Sequence, residues 1–230
     1  MAIAAPDPTP APPPRKLPRD ERRTQLIEAT IATMARQGYA RTTMSEVARV
    51  AGLSHGLVNF HFTSKENLLT ETLMYLAEEY RLNWTAALAA AGPSAAEQIH
   101  AMLIADFDPA VCAPDRLSAW CSFWGEAQSR PIYQERCGSN DEYYNATLDG
   151  LCARMIRECG YDGNATRISR VLRVTVEGVW LDMMTMQKPY DLAEARATVM
   201  TTVAAFFPRH FDEAGLIVDR QTTPRPHAAT

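Results

Sequence analysis

The sequence predicts an all-α protein of about nine helices, and three observations lead to that fold class. Apolar residues recur at helical spacing in almost every segment between the two ends of the chain. Strand-like alternation bounded by turn residues is missing. Breaker residues fall between the helical segments, notably Gly38, Gly160, Gly163, Pro189 and Pro208. A chain of 230 residues that is 47% hydrophobic and 22% charged can bury a core around such helices.

Both ends of the chain are predicted to be disordered tails, covering residues 1–18 and 211–230. Prolines crowd the first 14 residues, MAIAAPDPTPAPPP, and favour an extended chain there. That stretch has neither a basic start nor a long apolar centre, so it does not resemble a secretory signal. No apolar run approaches the roughly 18–20 residues that span a bilayer. We therefore expect a cytoplasmic protein without a membrane partner.

The N-terminal half is predicted to hold four helices. The first spans about residues 19–37, where apolar residues form one face. Thr43 and Ser54 precede the second and third helices as capping residues. A long fourth helix begins near Ser64 and ends before Gly92. It is the expected mechanical link between the two parts of the chain.

The rest of the chain is predicted to form five further helices, over about 94–105, 114–129, 132–159, 164–187 and 192–207. The last two helices carry apolar faces that suit a four-helix interface with a second copy. We therefore expect a homodimer. The residues of these faces are Val171, Leu172, Val174, Val179, Met183, Val199, Val203, Phe206 and Phe207.

Residues 43–62 have the pattern of a helix-turn-helix motif. The buried face of its first helix is defined by Met44, Val47, Ala48 and Ala51. Gly52 tolerates the positive φ that a tight turn requires, and Ser54 then opens a second helix with small or polar residues at its start. In this geometry the second helix enters a DNA groove. An ordinary helical hairpin is the alternative.

The distribution of charge favours the DNA-binding interpretation. Between Arg15 and Glu66 there are nine basic and five acidic residues, whereas the whole chain carries a net charge of −4. Because Asp7 is the only other charge before Arg15, residues 67–230 sum to −7. A basic end on an acidic body suits contact with phosphates at that end alone.

Residues 22–69 resemble the DNA-binding domain of TetR-type bacterial repressors. The marks are an apolar first helix ending at Gly38, the TT pair before the second helix, AGLS at the turn, and FxxKExLL leading into the fourth helix. Residues 107–133 and 176–191 are similar to the ligand domain of BetI-type repressors, which respond to choline and control glycine betaine synthesis genes.

The resemblance implies a DNA-binding domain over 19–79 and a ligand-binding and dimerisation domain over 80–210. It implies a homodimeric repressor on a pseudo-palindromic double-stranded DNA operator, released by a small-molecule effector. A TetR-type regulator of an unrelated pathway, such as efflux, is an alternative. Another is a ligand-binding helical protein whose helix-turn-helix serves only dimer or partner contacts.

The residues expected to contact DNA are carried over from the family motif. Thr43 and Lys65 are expected to contact phosphates, while the leading end of the third helix approaches the bases. Arg22 and Arg23 are added because these basic residues are placed to meet phosphates. The full set is Arg22, Arg23, Thr43, Ser54, His55, Gly56, Asn59, Phe60, His61 and Lys65.

The third helix departs from the family motif at several positions. Asn59 and His61 replace common tyrosines, and His55 replaces a frequent lysine. Asparagine can pair with adenine through two hydrogen bonds. We assign Phe62 to the core and leave Phe60 open between core packing and DNA contact.

Tryptophans and acids in the C-terminal part suggest an effector site. Trp120 and Trp124 share one helical face, and Glu177 lies three residues before Trp180. Aromatic faces near acids hold quaternary ammonium groups, so we expect a small cationic effector related to choline. Asp182 stands where related sequences can carry a basic residue. Core or dimer-interface packing of the tryptophans is the alternative. The expected ligand-binding residues are Trp120, Trp124, Glu126, Tyr143, Glu177, Trp180 and Asp182.

The sequence shows no catalytic constellation or metal site. Its histidines are scattered, and HExxH, GxSxG, P-loop and GxGxxG patterns are absent. We therefore expect neither an enzyme nor a cofactor. Five cysteines without CxxC spacing indicate neither a disulfide framework nor a zinc site. We expect reduced core thiols, with redox sensing as the alternative.

Overall fold

The computed structural model describes residues 17–127, 131–188 and 191–217, apart from several side chains between 127 and 139. Within these ranges the chain is almost entirely helical, which confirms the predicted all-α class. The elements are α1 (Arg19–Arg41), α2 (Met44–Ala51), α3 (His55–His61), α4 (Lys65–Ala90), α5 (Ala95–Ala105), α6 (Pro114–Ala127), α7 (Pro131–Cys159), α8 (Ala165–Thr185), α9 (Leu192–Phe206), β1 (Phe211–Asp212) and β2 (Gly215–Leu216).

Glycines and hydroxyl side chains set the ends of the first helices. Gly38 has φ 79° and ψ 169°, so the regular part of α1 breaks there as predicted. The Thr43 hydroxyl accepts a hydrogen bond from the Glu46 N–H at 3.2 Å, and Gly52 ends α2 in the left-handed region with φ 67°. The result is two short helices, α2 and α3, joined by a tight turn.

The fourth helix connects the two hydrophobic cores of the protein. The Ser64 hydroxyl caps α4 by accepting from the Asn67 N–H at 3.1 Å. Its 26 residues extend over about 39 Å at the helical rise per residue. The first half of its buried stripe packs against α1, in a core that also contains side chains of α2 and α3. The second half, including Trp84, packs with α5 and α7.

The N-terminal core also receives side chains from α6. Leu26, Val47, Val58 and Phe62 are among its fully buried residues, and α6 adds a small set that packs against them. That set comprises Ala119, Trp120 and Phe123. The N-terminal helices therefore share their core with the helix that begins at Pro114.

The prediction of a disordered C-terminal tail is wrong for its first residues, which form two short strands. Strands β1 and β2 pair antiparallel, with Phe211 opposite Leu216, and Phe211 is buried. Burial of this ring in the C-terminal core explains why the chain stays ordered beyond α9. The predicted tail residues 1–16 and 218–230 lie outside the described residues.

None of the described helices is long and apolar enough to cross a membrane.

Candidate functional site

The leading end of α3 forms an exposed polar surface. Ser54 caps this helix by accepting from the Leu57 N–H at 3.3 Å, and His55 and Gly56 follow it at the surface. Asn59 is exposed as well, and its Nδ2 lies 3.2 Å from His55 Nδ1. Phe60 is 71% exposed, so core packing does not account for it. Ser54, His55, Gly56 and Asn59 are exposed as predicted, and Phe60, which the sequence left open, is exposed with them.

His61 differs from the prediction that it faces outward. It is buried, because Val58, His61 and Phe62 have the spacing of one helical face and that face packs into the N-terminal core. Desolvation, reinforced by the positive charges of Arg23 and other arginines of α1, lowers the pKa of His61. Its ring Nδ1 is buried without a hydrogen-bond partner among the described residues.

Arg23 is engaged inside the protein. One guanidinium nitrogen donates to the backbone carbonyl of His61 at 2.8 Å, and another pairs with Glu71 at 3.1 Å. The guanidinium carbon also lies 4.6 Å from the centroid of the Phe62 ring. Arg23 therefore holds α1 to α3 and α4, and the predicted phosphate contact would compete with these interactions.

The other predicted phosphate contacts lie nearer the surface. Thr43 is exposed, and Lys65 is half-buried and donates to the Ala40 carbonyl at 3.0 Å from the first turn of α4. Arg22 donates to the Gln25 side chain at 2.6 Å. These are local contacts that a phosphate could replace or extend.

A second candidate site is a cavity of about 170 Å³ between α4, α6, α7 and α8. Its volume resembles that of an engineered cavity of roughly 150 Å³ that accommodates benzene. We call it the aromatic cavity, because five of its lining residues are aromatic. The lining residues are Tyr80, Trp120, Trp124, Asp141, Tyr144, Asn145, Arg173, Val176, Glu177 and Trp180.

The aromatic rings pack in contact with one another. Trp124 and Trp180 stack, with ring centroids 6.1 Å apart and planes at 13°. Trp120 lies 6.2 Å from Trp124, and Tyr80 meets Trp180 edge to face at 5.8 Å. Tyr80 also stacks on Tyr144 at 5.9 Å. The negative faces of such rings are the surfaces that attract a cation.

A buried carboxylate supports two of these rings. Asp106 is 0% exposed and accepts hydrogen bonds from the hydroxyls of Tyr80 at 2.7 Å and Tyr144 at 2.6 Å. Its backbone carbonyl accepts from the Trp180 indole at 3.1 Å. Burial raises the pKa of Asp106 to about 7, against the lowering effect of the two tyrosine hydrogen bonds.

Charged groups complete the lining of the cavity. Arg173 pairs with Glu177 at 2.5 Å, one helical turn apart on α8. Asp141 is exposed on α7, yet partial desolvation and the negative charge of Glu177 raise the pKa of its carboxyl to about 6. The cavity lining thus carries two acids and one base.

Four of the seven predicted ligand-binding residues line the cavity and three do not. The four are Trp120, Trp124, Glu177 and Trp180. Tyr143 is 50% exposed and packs on Trp84, with ring centroids 5.0 Å apart. Glu126 and Asp182 are also absent from the lining. Each follows a cavity tryptophan by two positions, which rotates its side chain about 200° around the helix.

The prediction missed several lining residues. Tyr80 belongs to α4 and joins the cavity only through tertiary packing. Arg173 lies on α8 one helical turn before Glu177, so helical spacing could have placed it there. Tyr144 is the neighbour of Tyr143 that turns inward. One sequence feature could have indicated Asp106, the carboxylate beneath the rings. It is an acid within the apolar run MLIADF, where a buried charge needs hydrogen-bond partners.

Helix α6 has one face on the cavity and another on α1. Trp120 and Trp124 line the cavity. On the α1 side, Phe123 meets Tyr39 edge to face at 5.8 Å, and Arg116 pairs with acids of α1 and α4. Helix α6 therefore contacts both the aromatic cavity and the N-terminal core.

The four cysteines whose side chains are described do not line the aromatic cavity. Burial raises the pKa of Cys112 and Cys152 to about 12, so both thiols stay protonated and unreactive. Cys121 and Cys159 are half-buried, and none of these four forms a disulfide. The side chain of Cys137 lies outside the described residues.

Two family models match the chain in the regions of these sites. Residues 26–72 match the model for bacterial regulatory proteins of the tetR family. Residues 95–208 match the C-terminal model of BetI-type transcriptional repressors. The first region contains the exposed end of α3, and the second contains most of the aromatic cavity. Both models describe regulators rather than enzymes.

Relatives and solved structures agree with these matches. The HTH-type transcriptional regulator BetI of Agrobacterium fabrum is 32% identical over 186 residues, covering 77% of this chain and 84% of that protein. BetI of Proteus mirabilis is 27% identical, covering 76% of this chain and 86% of that protein.

Two crystal structures have the same fold at low identity. A candidate transcriptional regulator from Pseudomonas aeruginosa PAO1 aligns with a TM-score of 0.73 at 24% identity, covering 84% of this chain and 93% of that one. Another from Saccharomonospora viridis, crystallised with choline, gives 0.71 at 19% identity and covers 84% and 98%. The family models and the Agrobacterium fabrum relative place the chain in the TetR family of transcriptional regulators, as a repressor of the BetI type.

Proposed function

We propose that this repressor binds a pseudo-palindromic operator as a homodimer, and that a small cationic effector in the aromatic cavity releases it. Members of the TetR family bind operator DNA, respond to small molecules and dimerise. The observation that carries the effector proposal is a cavity walled by three tryptophans and two tyrosines, with Asp141 and Glu177 in its lining. It adjoins the DNA-binding core through α6.

The exposed surface of α3 supports the DNA contact. Ser54, His55 and Gly56 leave the start of this helix open for close approach to a groove. Apart from the adjoining residues and the backbone of α3 itself, no atom of the described residues lies within 4 Å of a Cβ placed at Gly56. Asn59 and Phe60 extend the same surface by one turn. A recognition helix reads bases from its N-terminal residues in this manner.

Apolar side chains on α8 support the homodimer. Val171, Val174 and Leu181 are exposed, whereas Leu172 and Val179 on the other side of the helix are buried in the core. Exposed branched side chains along one face of a long helix favour packing against a second copy. A dimer would also supply the two reading heads that a pseudo-palindromic operator needs.

The nature of the aromatic cavity supports a choline-like effector. Indole faces attract quaternary ammonium groups, and the acids of the lining offset their charge. The relatives named BetI and the choline complex of the Saccharomonospora viridis protein are consistent with this class of ligand. The volume of about 170 Å³ suits a molecule of that size.

Two helices offer a route from the effector to DNA. Tyr80 on α4 and Trp124 on α6 contact the cavity, and both helices continue into the N-terminal core. An effector that favours one arrangement of these helices would change the spacing of the two α3 helices in a dimer. It must bind the two arrangements with different affinity for the release to occur.

The test combines a gel shift with titration calorimetry. The DNA is the region upstream of the gene, with a random duplex as control. We expect one dimer per operator, and release by choline but not by its uncharged isostere 3,3-dimethylbutanol. Equal binding to random DNA would contradict operator recognition. Equal affinity for the uncharged isostere would contradict the cationic effector and leave the DNA-binding proposal standing.

A further inference from the structure

A polar groove of about 260 Å³ between α7 and α8 adjoins the aromatic cavity. Asn145 and Arg173 line both spaces, so the two meet at these side chains. We call this second space the outer groove. Its remaining lining residues are Ala146, Asp149, Thr166, Ser169 and Arg170. If the effector is cationic as proposed above, the outer groove indicates which second chemical group that molecule carries.

The balance of charge reverses from one space to the other. In the aromatic cavity, Asp141 and Glu177 outnumber Arg173. In the outer groove, Arg170 and Arg173 outnumber Asp149. A positive group is therefore favoured in the first space and a negative group in the second.

The acid of the outer groove is already engaged by neutral donors. The hydroxyls of Thr166 and Ser169 both lie within reach of the Asp149 carboxylate, at 3.1 Å and 3.4 Å. Arg170 is exposed, and its guanidinium makes neither a hydrogen bond nor an ion pair with any described residue. The groove thus keeps one arginine whose charge no described acid neutralises.

Arg173 has donors to spare at the junction. Among the described residues, its guanidinium makes one side-chain hydrogen bond, which Nη1 donates to Glu177 at 2.5 Å. A guanidinium has five N–H donors in a planar fork that matches a carboxylate or phosphate. A second anion can therefore bind Arg173 without displacing Glu177.

From these contacts we propose that the effector is a zwitterion. Its quaternary ammonium group lies in the aromatic cavity, and a short chain carries a carboxylate or phosphate to Arg173 and into the outer groove. Arg173 then determines specificity, because it distinguishes such a molecule from a simple cation of the same size. Arg170 adds long-range attraction for the anionic group.

The proposal is tested with matched ligands on the full-length protein. Calorimetry compares 4-(trimethylammonio)butanoate with its methyl ester, which keeps the cation and loses the anion, and includes phosphocholine to distinguish phosphate from carboxylate. The variants are Arg173→Gln and, as a control on an exposed arginine of α7, Arg157→Gln. Binding to the upstream DNA verifies that each variant is folded.

We expect the tighter zwitterion to bind the parent at least about tenfold better than the ester, because hydrogen bonds to charged groups are strong. Arg173→Gln should abolish this preference while the ester binds as well as before or better, since Glu177 loses its partner. Arg157→Gln should keep the preference. Equal affinities for ester and zwitterions in the parent, or an equal loss of all ligands in Arg173→Gln, would overturn the proposal. If no trimethylammonium compound binds, the result contradicts the proposed cationic effector as well as the zwitterion.

Discussion

Arg116 of α6 makes two hydrogen bonds to the carboxylate of Glu28 on α1, each 2.8 Å long. Its Nε also lies 3.1 Å from Glu79 of α4, so one guanidinium joins three helices. Desolvation works to raise the pKa of Glu28, but hydrogen bonding to Arg116 and its charge lower it on balance. Because Trp120 and Trp124 lie on the same helix, this ion pair connects the aromatic cavity to the DNA-binding part.

Replacing Arg116 by Gln should weaken the response to effector more than it weakens DNA binding. The variant loses both ion pairs and about 1–2 kcal/mol of stability, since the acids are partly exposed and screened. The measurement is the ratio of operator Kd values with and without saturating choline, which is about 5–150 in typical allosteric coupling. We expect this ratio to fall toward one. An unchanged ratio, equal to that of Arg157→Gln, would exclude Arg116 from the route.

Replacing Trp124 by Ala should weaken binding of a quaternary ammonium ligand roughly tenfold. The substitution removes one indole face and its stacking on Trp180, at a residue that is only half-buried. Titration calorimetry with choline measures the effect. Tyr143→Phe is the matched control, because Tyr143 lies outside the cavity, and its affinity should stay within about twofold of the parent. A similar loss in both variants would contradict the assignment of the cavity.

The helices could be predicted because their signals are local. Thr43, Gly52, Ser54 and Ser64 act where the sequence places them, since a cap is formed by residues three positions apart. The buried ring of Phe211 escaped prediction, because its partners come from the C-terminal core and not from its neighbours in sequence. Local sequence rules therefore predict the helices. The position where the ordered chain ends depends on tertiary packing, which these rules do not describe.

The cavity was predictable only in part for a similar reason. Trp120 and Trp124 share a face that helical spacing reveals, whereas Tyr80 reaches the cavity from a helix that ends the N-terminal half. Near α3, spacing alone places His61 on the buried face with Val58, although its polarity suggested the surface. The sequence predicts a DNA contact for Arg23, but its partners Glu71 and the His61 carbonyl are distant in sequence and meet it only in the folded protein.

Asp106 should make the stability of the protein fall as pH rises from about 4 to about 7. Its pKa is about 7 in the folded protein against an ordinary value of 3.8, so the folded state holds a proton that the unfolded state has lost in this window. The free energy of unfolding therefore decreases with pH there and stays lower above pH 7. Asp106→Asn keeps an acceptor for a tyrosine hydroxyl and removes the titration.

Urea unfolding of parent and Asp106→Asn at pH 5 and pH 8 measures this effect. We expect the variant to gain stability relative to the parent between the two pH values. A difference between the two proteins that does not change with pH would mean that Asp106 keeps its ordinary pKa despite its burial.

Replacing Asn59 by Ala should relax base preference at one position of each half-site. Asn59 is exposed on α3, and its amide can pair with a base edge in the groove. Loss of that contact costs about 1–3 kcal/mol at the base pair concerned and leaves binding to random DNA as it was. Competition gel shifts with operators changed at single positions measure it. An identical preference profile in variant and parent would remove Asn59 from the base contacts.

Replacing Lys65 by Ala should weaken binding to all DNA sequences alike. Lys65 lies in the first turn of α4 and its ammonium group donates to the Ala40 carbonyl at 3.0 Å, which positions the charge beside the N-terminal domain's surface. Loss of one phosphate contact per subunit lowers the slope of log affinity against log salt by roughly one for each contact. Lys188→Ala is the control, because Lys188 is an exposed lysine in the loop after α8 and should leave the slope unchanged. Equal slopes of log affinity against log salt in both variants would show that the Lys65 charge contacts no phosphate, even if the affinity falls. Only a contact that releases a counterion from DNA changes the salt dependence.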